Sequence, residues 1–243
     1  MDTIILTGGR GRRLGALTTH HPKANLRFAG KSLLAHALSA LRGSENLIER
    51  ICIATGYQAE KVSAQYRRDA GQISSEIPVT WLPVESEPSG TFGSAVWALH
   101  TARATRCCLI LGIDAIVTRR AIVEFIASIR NEKRTTFMVS PMLAIAPTHG
   151  RIRLNGSGEI AEYRKSSFCT DQTPQDDWYC DVGVRYFSAD FVKECLSLSL
   201  TGACDFDDIM PSMVGKEQIF ESHILKERWL HFANSMDFLQ EPL

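Results

Sequence analysis

Residues 7–14 (TGGRGRRL) hold three glycines and three arginines directly after a short apolar run, residues 3–6. A glycine-rich turn between a strand and a helix can direct several backbone N–H groups at one ligand, because glycine adopts φ values that other residues resist. Such a turn binds phosphate oxygens. Arg12, Arg13 and, further on, Lys23 add guanidinium and ammonium groups, which suit a polyphosphate. The stretch therefore predicts a polyphosphate site.

Two common phosphate-binding patterns do not fit this stretch. A P-loop reads G-x-x-x-x-G-K-[ST], and no lysine followed by serine or threonine stands at that spacing. The dinucleotide pattern G-x-G-x-x-G is met at Gly9 and Gly11, but its third position is Leu14, and Gly15 comes one residue late. A basic surface turn without a ligand is the alternative.

A second candidate is Asp114, which follows the apolar run 107–113. Open parallel sheets bind ligands at the carboxyl ends of their strands. A carboxylate there can hold Mg²⁺ together with phosphate oxygens. The alternative for an aspartate after a strand is the N-cap of a helix, and the residues alone leave both interpretations open.

Composition excludes several kinds of protein. Among 243 residues, 27 basic side chains balance 27 acidic ones, so no global field points to nucleic acid or to an acidic membrane. Seven cysteines without a C-x-x-C pair are typical of a reducing compartment rather than of a disulfide framework or a zinc site. No signal-peptide core and no apolar run near the ~18 residues of a membrane span is present. We therefore expect a cytoplasmic protein without nucleic-acid or membrane partners.

Strand and helix patterns alternate through the first half of the chain. Strands are predicted over residues 3–6, 51–55, 79–84, 107–113 and 135–139, and helices over 32–41, 62–68, 91–102 and 120–130. This alternation favours an α/β fold with a mostly parallel central sheet and helices on both faces.

After about residue 140 the pattern changes. Residues 152–154 and 160–163 flank Asn155-Gly156-Ser157-Gly158, which predicts a hairpin. A long strand over 179–187 and helices near 189–197 and 207–214 follow. No linker rich in proline, serine or glycine separates the halves, so we predict one domain over 1–243 with a smaller mixed subregion after residue 140.

The N-terminal residues resemble the signature of sugar-1-phosphate nucleotidyltransferases, also called nucleotide-diphosphosugar pyrophosphorylases. That signature is roughly GG-x-G-T-R-L-x-P-L-T, then P-K, then G-K-P-L-L. The matching positions are Gly8, Gly9, Gly11, Arg13, Leu14, Leu17, Thr18, Pro22, Lys23, Gly30, Lys31, Leu33 and Leu34. Arg12 stands where threonine is usual, and Ala16 and Ser32 replace prolines.

The resemblance continues along nearly the whole chain. Residues 87–95 (EPSGTFGSA) resemble E-P-L-G-T-A-G-A-L, and residues 111–114 (LGID) stand where the family ends a strand in G-D. Residues 149–152 (HGRI) resemble Y-G-x-V, residues 181–184 (DVGV) resemble N-A-G-I, and residues 229–237 (WLHFANSMD) align with W-x-D-x-G-T-P-x-D. Hexapeptide repeats are absent, so the resemblance is to short members without a β-helix tail.

The resemblance implies a Rossmann-like nucleotidyltransferase domain, with a nucleotide-binding half over 1–140 and an acceptor-binding and C-terminal part over 141–243. Family members join an NTP to a sugar 1-phosphate and release pyrophosphate. Arg13 would steady the pyrophosphate, Lys23 the α-phosphate, and Asp114 would coordinate Mg²⁺. The residues implied to bind the nucleotide are Leu6, Gly8, Gly9, Gly11, Arg12, Glu87, Gly90 and Thr91.

The acceptor side and the second metal ligand are less conventional. Gly150, Lys165, Asp181 and Gly183 are implied to bind the acceptor, with Arg164 as the rival of Lys165. His231 replaces the family's second metal carboxylate. Imidazole is a poor ligand for Mg²⁺ and an acceptable one for Mn²⁺, Co²⁺ or Zn²⁺. The ion could be held by Asp114 and substrate phosphates alone, the site could prefer a softer ion, or the chain could bind without turnover.

Two alternatives to a sugar nucleotidyltransferase remain open. One is transfer to a non-sugar phosphate or phosphonate such as phosphocholine, and the other is a regulatory relative that binds a nucleotide sugar without catalysis. The expected partners are an NTP and a phosphorylated small-molecule acceptor. The base is undetermined, with a mild preference for a guanylyl or uridylyl donor on resemblance, and both monomer and homo-oligomer are open.

Overall fold

A computed structural model of the chain describes residues 1–69, 77–83, 90–129, 132–141, 149–165, 177–199, 202, 204–214, 219–233 and 235–239. The strands in these ranges are β1 Asp2–Leu6, β2 Arg27–Phe28, β3 Lys31–Ser32, β4 Arg50–Thr55, β5 Val79–Pro83, β6 Cys108–Gly112, β7 Ala115–Ile116, β8 Thr136–Pro141, β9 Arg151–Leu154, β10 Ile160–Arg164, β11 Trp178–Phe187, β12 Glu221–Ile224 and β13 Leu230–His231. The α-helices there are α1 Leu33–Ala40, α2 Ala59–Asp69, α3 Thr91–Thr101, α4 Arg119–Ser128, α5 Ala189–Ser197 and α6 Phe206–Met213.

One central sheet connects most of these strands. β5, β4, β1 and β6 lie side by side and are parallel. β11 pairs antiparallel with β6 and, along its opposite edge, with β8, which β12 joins in parallel. The predicted hairpin forms as β9 and β10, and β9 pairs with the first residues of β11. The predicted α/β fold with a mostly parallel sheet is confirmed.

Both faces of the sheet are covered by helices. In β1, Ile5 packs with residues of α1, α2 and α4, whereas Ile4 and Leu6 pack with residues of α3, α5 and α6. Successive side chains of a strand point to opposite faces. A strand covered on both sides therefore reads as a continuous apolar run, which is the signal that β1 and β6 carry.

Local capping sets the starts of several helices. The hydroxyls of Ser32, Thr118 and Ser188 accept hydrogen bonds from backbone N–H groups in the first turns of α1, α4 and α5. These side chains satisfy donors that the helix itself leaves unpaired. The predicted helix over 62–68 begins earlier, at Ala59, and the predicted helix over 120–130 ends at Ser128.

The strand predicted over 135–139 takes a position that local pattern does not reveal. It forms β8, which is separated from the parallel strands by the antiparallel β11. The predicted strand over 107–113 is shorter, Cys108–Gly112, because the chain turns at Asp114. None of the helices in the described part of the chain is long and apolar enough to cross a membrane.

Candidate active site

The glycine turn follows β1 at the carboxyl end of the parallel strands. The carbonyl oxygen of Gly8 accepts a hydrogen bond of 3.1 Å from the Tyr57 N–H group. A Cβ on Gly8 would lie 3.3 Å from the backbone nitrogen of Gly56, so the two loops approach closely here. Gly11 has φ +64°, a value that favours glycine, and its carbonyl accepts from the Thr18 hydroxyl at 2.9 Å.

The two arginines of the motif open the short helical turn Arg12–Thr18. Both side chains are exposed, whereas Leu14 is buried and anchors the turn. Both guanidinium groups can therefore reach a ligand from solvent. Leu6, the last residue of β1, is buried in the core.

Three segments of the chain meet at Asp114. The Lys23 ammonium lies 3.1 Å from Asp114 Oδ2, and His231 Nε2 lies 3.7 Å from the same oxygen. The backbone oxygen of Asp114 accepts from the Phe232 N–H group at 2.9 Å. Burial alone would raise the pKa of Asp114, but Lys23 and His231 outweigh it and hold this pKa well below its usual range. Asp114 is therefore an ionised carboxylate beside a lysine and an imidazole.

The register of two short strands explains how His231 reaches this point. β13 pairs antiparallel with β7, so His231 lies opposite Ala115, the residue after Asp114. The assignment of His231 to the second metal position stays a prediction. In the described ranges, no group of three His, Cys, Asp or Glu side chains is placed to hold an ion alone.

His149 is a member of this cluster that sequence reasoning did not single out. Its ring centroid lies 3.9 Å from that of His231 and 5.2 Å from that of Trp229. Both ring nitrogens are buried without a hydrogen-bond partner. Burial, His231 and the charges of Arg13 and Arg185 lower the pKa of His149 to about 3, although Asp114 opposes them. His149 is thus neutral, and its motif position beside Gly150 was the signal that could have identified it.

Gly150, one of the residues predicted to bind the acceptor, lies against the buried phenol of Tyr163. A Cβ on Gly150 would come within 2.1 Å of Tyr163 Oη and 2.6 Å of Asp207 Oδ1. The Tyr163 hydroxyl lies 2.8 Å from Asp207 Oδ1 and 3.2 Å from Asp181 Oδ2. Burial raises the pKa of Tyr163 well above its usual range, and both carboxylates add to this effect. The phenol is therefore a neutral donor.

Asp181 is the centre of a buried polar network. Its Oδ1 accepts from the Gly183 N–H group at 2.8 Å, and its Oδ2 accepts from Arg185 Nη2 at 2.6 Å. The Arg185 guanidinium lies 3.8 Å from the ring centroid of Phe206. Gly183 has φ +88° and lies where the register of β11 shifts between Asp181 and Arg185, a backbone conformation that favours glycine. Both oxygens of Asp181 already accept hydrogen bonds within the protein.

Sequence reasoning missed the partners of this network. Tyr163 and Asp207 gave no local signal because they lie on different elements, β10 and α6. Asp181 and Arg185 form an i,i+4 pair inside an apolar strand, and two opposite charges within such a run were the signal that could have identified Arg185.

The remaining acceptor candidates lie beside the same helix. Lys165 forms an ion pair with Asp208 of α6. Arg164, its rival, has its guanidinium 4.8 Å from the ring centroid of Trp178 and pairs with Glu162. Lys165 and Arg164 are thus held by different partners.

The start of α3 holds the other nucleotide candidates. Gly90 has φ +89°, and a Cβ there would lie 2.4 Å from the Cys204 backbone. The Thr91 N–H group donates to Asp205 Oδ1 at 2.7 Å. Glu87 lies outside the described residues.

Known protein families and curated proteins resemble this chain in sequence. The sequence model of the MobA-like NTP transferase domain matches residues 3–158. A glucose-1-phosphate adenylyltransferase of Rhodospirillum rubrum is 28% identical over 240 residues, which cover 89% of this chain and 55% of that protein. The mannose-1-phosphate guanylyltransferase catalytic subunit beta of Drosophila melanogaster is 34% identical over 90 residues, 37% of this chain and 23% of that protein. The chain thus spans about half the length of the Rhodospirillum relative.

Solved structures show the same fold at low sequence identity. The inositol-1-phosphate CTP transferase from T. maritima superposes with a TM-score of 0.77 at 18% identity, covering 97% of this chain and 90% of that one. A UDP-glucose pyrophosphorylase complexed with UDP-glucose gives a TM-score of 0.78 at 12% identity, covering 98% and 95%.

Proposed function

We propose that this chain, which belongs to the family of MobA-like NTP transferase domains, transfers a nucleoside monophosphate from an NTP to a sugar 1-phosphate and releases pyrophosphate. The membership confirms the resemblance that the N-terminal motif predicted. One observation supports the proposed activity most directly: Lys23 Nζ lies 3.1 Å from Asp114 Oδ2 at the carboxyl end of β6. The Lys23 ammonium and the Asp114 carboxylate are thus paired at the edge where open parallel sheets bind ligands.

The proposed chemistry depends mainly on position and charge. An oxygen of the acceptor phosphate attacks the α-phosphorus, a new P–O bond forms, and the bond to the departing pyrophosphate breaks. The N–H groups of residues 8–11 bind triphosphate oxygens, and Arg13 neutralises the charge that develops on the pyrophosphate. Lys23, which Asp114 orients, stabilises the α-phosphate. Charge neutralisation and alignment of this kind account for most catalysis of phosphoryl and nucleotidyl transfer.

The donor set at Asp114 fits a divalent ion whose remaining ligands come from substrate phosphates and water. Asp114 is ionised, and the imidazole of His231 faces the same carboxylate oxygen at 3.7 Å. We propose that these two residues hold the ion, which when bound would neutralise phosphate charge. Because one donor is a nitrogen, Mn²⁺ or Co²⁺ suits the pair better than Mg²⁺.

We assign two roles to the acceptor-side residues. Gly150, Gly183 and Lys165 are proposed to contact the acceptor. Asp181, whose oxygens are engaged by Gly183 and Arg185, is proposed to position the backbone of β11 rather than to bind hydroxyls directly. Residues 1–140 and 141–243 would thus act as nucleotide and acceptor parts of one domain, working in the cytoplasm.

A pyrophosphate-release assay tests the proposal. The protein is incubated with each common NTP, with Mg²⁺ or Mn²⁺, and with a panel of sugar 1-phosphates. Release with at least one sugar 1-phosphate is expected. Release only with phosphocholine-like acceptors would instead indicate a non-sugar nucleotidyltransferase. Nucleotide binding by calorimetry without turnover under any metal would identify a binding module.

A further inference from the structure

An open cavity of about 570 Å³ lies apart from the residues assigned to the active site. It is formed between helix α2 and residues of the segment 21–27. His21, Arg27, Lys61 and Arg68 line it, and none of the described residues that line it is acidic. All four of these basic side chains are exposed. In a chain with no net charge, this cavity is a local concentration of positive charge.

The basic groups keep donors available for a ligand. Arg27 forms one ion pair, at 3.3 Å, with Asp69, whose carboxylate is buried. Arg68 donates to Gln65 at 2.9 Å, and Lys61 donates to the backbone oxygen of His20 at 2.9 Å. A guanidinium carries five N–H donors and an ammonium three. These contacts therefore leave N–H groups for an anion.

Asn25 adds a neutral polar group to the cavity wall. Its side-chain nitrogen donates to the Lys61 carbonyl at 2.8 Å, which fixes the orientation of the amide. Its Oδ1 is buried and has no hydrogen-bond partner. Because this oxygen has no exposed surface, Asn25 helps to fix the cavity wall, and the contacts to a ligand come from the basic side chains.

We propose that this cavity binds a small phosphorylated metabolite. Arg27, Lys61 and Arg68 hold the phosphate, since guanidinium and ammonium groups form strong charge-assisted hydrogen bonds with phosphate oxygens. The site is separate from the glycine turn that is proposed to bind the nucleotide.

The position of the cavity couples it to the active site. Asn25 ends the short helical turn Lys23–Asn25, which begins at the lysine that contacts Asp114. The same turn is joined to α2 by the Asn25–Lys61 hydrogen bond. A ligand here shifts the position of Lys23 and so regulates turnover. This regulatory part rests on the proposed function, whereas binding does not.

Calorimetry of the full chain with glucose 6-phosphate tests binding directly. The variant Lys61→Gln/Arg68→Gln removes two cavity charges, and we expect its affinity to fall by at least about tenfold. Arg67→Gln is the matched control, because Arg67 is an exposed neighbour on α2 that does not line the cavity. Its affinity should stay within about twofold. Melting curves check that the variants remain folded.

Four outcomes would overturn parts of the proposal. Equal weakening in Arg67→Gln would show unspecific attraction, and absence of binding would eliminate the site. Loss of binding in Arg13→Ala would place glucose 6-phosphate in the active site instead. Equal affinity for inorganic phosphate would show a site for the free anion rather than for a phosphorylated metabolite.

The regulatory part has its own measurement. Glucose 6-phosphate should change the pyrophosphate-release rate of the wild-type chain and leave that of Lys61→Gln/Arg68→Gln unchanged. Normal binding with an unaffected rate would refute regulation. If no variant turns over any substrate, the proposed function fails, and the calorimetry still decides whether the cavity binds a sugar phosphate.

Discussion

The ammonium of Lys23 donates a hydrogen bond of 3.1 Å to Asp114 across a sequence separation of 91 residues. Lys23 is only 8% exposed. Because a lysine is almost never buried unless it is paired, the hydrogen bond to Asp114 explains how this side chain can be buried. The contact brings the segment after the glycine turn to the carboxyl end of β6. Because β1 and β6 are adjacent and parallel, both residues lie at the edge where the turn begins.

Replacing Lys23 should remove catalysis more than binding. We expect Lys23→Met to lower kcat for pyrophosphate release by about 10²–10³-fold, the loss typical for one electrostatic donor to a transition state. Nucleotide affinity measured by calorimetry should fall much less. Lys193→Met is the control, since Lys193 is exposed on α5 and pairs with Asp190 of the same helix. A kcat within about threefold of wild type for Lys23→Met would refute the assignment.

The two exposed arginines of the turn should differ in their effects. Arg13 matches the family pattern and is proposed to neutralise the charge on the pyrophosphate, so Arg13→Ala should lower kcat/KM by about 10²-fold. Arg12 stands where the pattern has threonine, and Arg12→Ala should mainly raise the KM for NTP. Steady-state kinetics separate the two. Because both side chains are exposed, the melting temperatures of the two variants should not change. A mainly raised KM for NTP in Arg13→Ala, with the larger loss of kcat/KM in Arg12→Ala, would contradict these two roles.

Metal preference should depend on His231. Asp at this position supplies the oxygen ligand that Mg²⁺ prefers, so His231→Asp should raise the ratio of Mg²⁺- to Mn²⁺-supported turnover by about tenfold. Binding of Mn²⁺ in the presence of NTP, followed by electron paramagnetic resonance, should weaken. His100→Asp is the control, because it makes the same substitution at an exposed position on α3. It should leave the metal ratio and the binding of Mn²⁺ unchanged. An unaltered ratio and unaltered Mn²⁺ binding in His231→Asp would exclude His231 as a ligand.

The sequence predicted those parts of the molecule that depend on local pattern. Ser32 and Thr118 cap helices that the spacing of apolar residues predicts. Asp114 follows a strand that the apolar run 107–113 predicts. The insertion of β11 between β6 and β8 was not predicted, because strand pairing depends on contacts distant in sequence. The buried ring of His149, whose nitrogens have no hydrogen-bond partner, depends in the same way on how β13 pairs with β7.

The buried pair of Asp181 and Arg185 should contribute to stability. Their side chains are 3% and 9% exposed, and removal of one partner leaves an uncompensated buried charge. Asp181→Ala should therefore lower the free energy of unfolding in urea by about 3–5 kcal/mol. The exposed pair of Asp190 and Lys193 provides the comparison, and Asp190→Ala should cost below about 1 kcal/mol. If Asp181→Ala lowered the free energy of unfolding as little as Asp190→Ala does, the buried network would not be important for stability.

Gly150 provides a direct test of the proposed acceptor site. Any side chain there would meet Tyr163 Oη at 2.1 Å, and this phenol is held by Asp181 and Asp207. Accommodating the methyl group must move the network, which costs about 1–3 kcal/mol for overpacking. Gly150→Ala should therefore raise the KM for the sugar 1-phosphate by about tenfold and leave nucleotide affinity unchanged, because a shifted acceptor wall weakens one substrate only.

Gly156 is the matched control for this substitution. It lies in the hairpin turn between β9 and β10, and a Cβ there meets nothing within 4 Å. Gly156→Ala should leave both substrates unaffected in the same steady-state assay. If Gly150→Ala instead weakened the nucleotide, or left the acceptor KM at the wild-type value, Gly150 would not border the acceptor. The proposal that residues 141–243 bind the acceptor would then lose Gly150, the residue that supports it best.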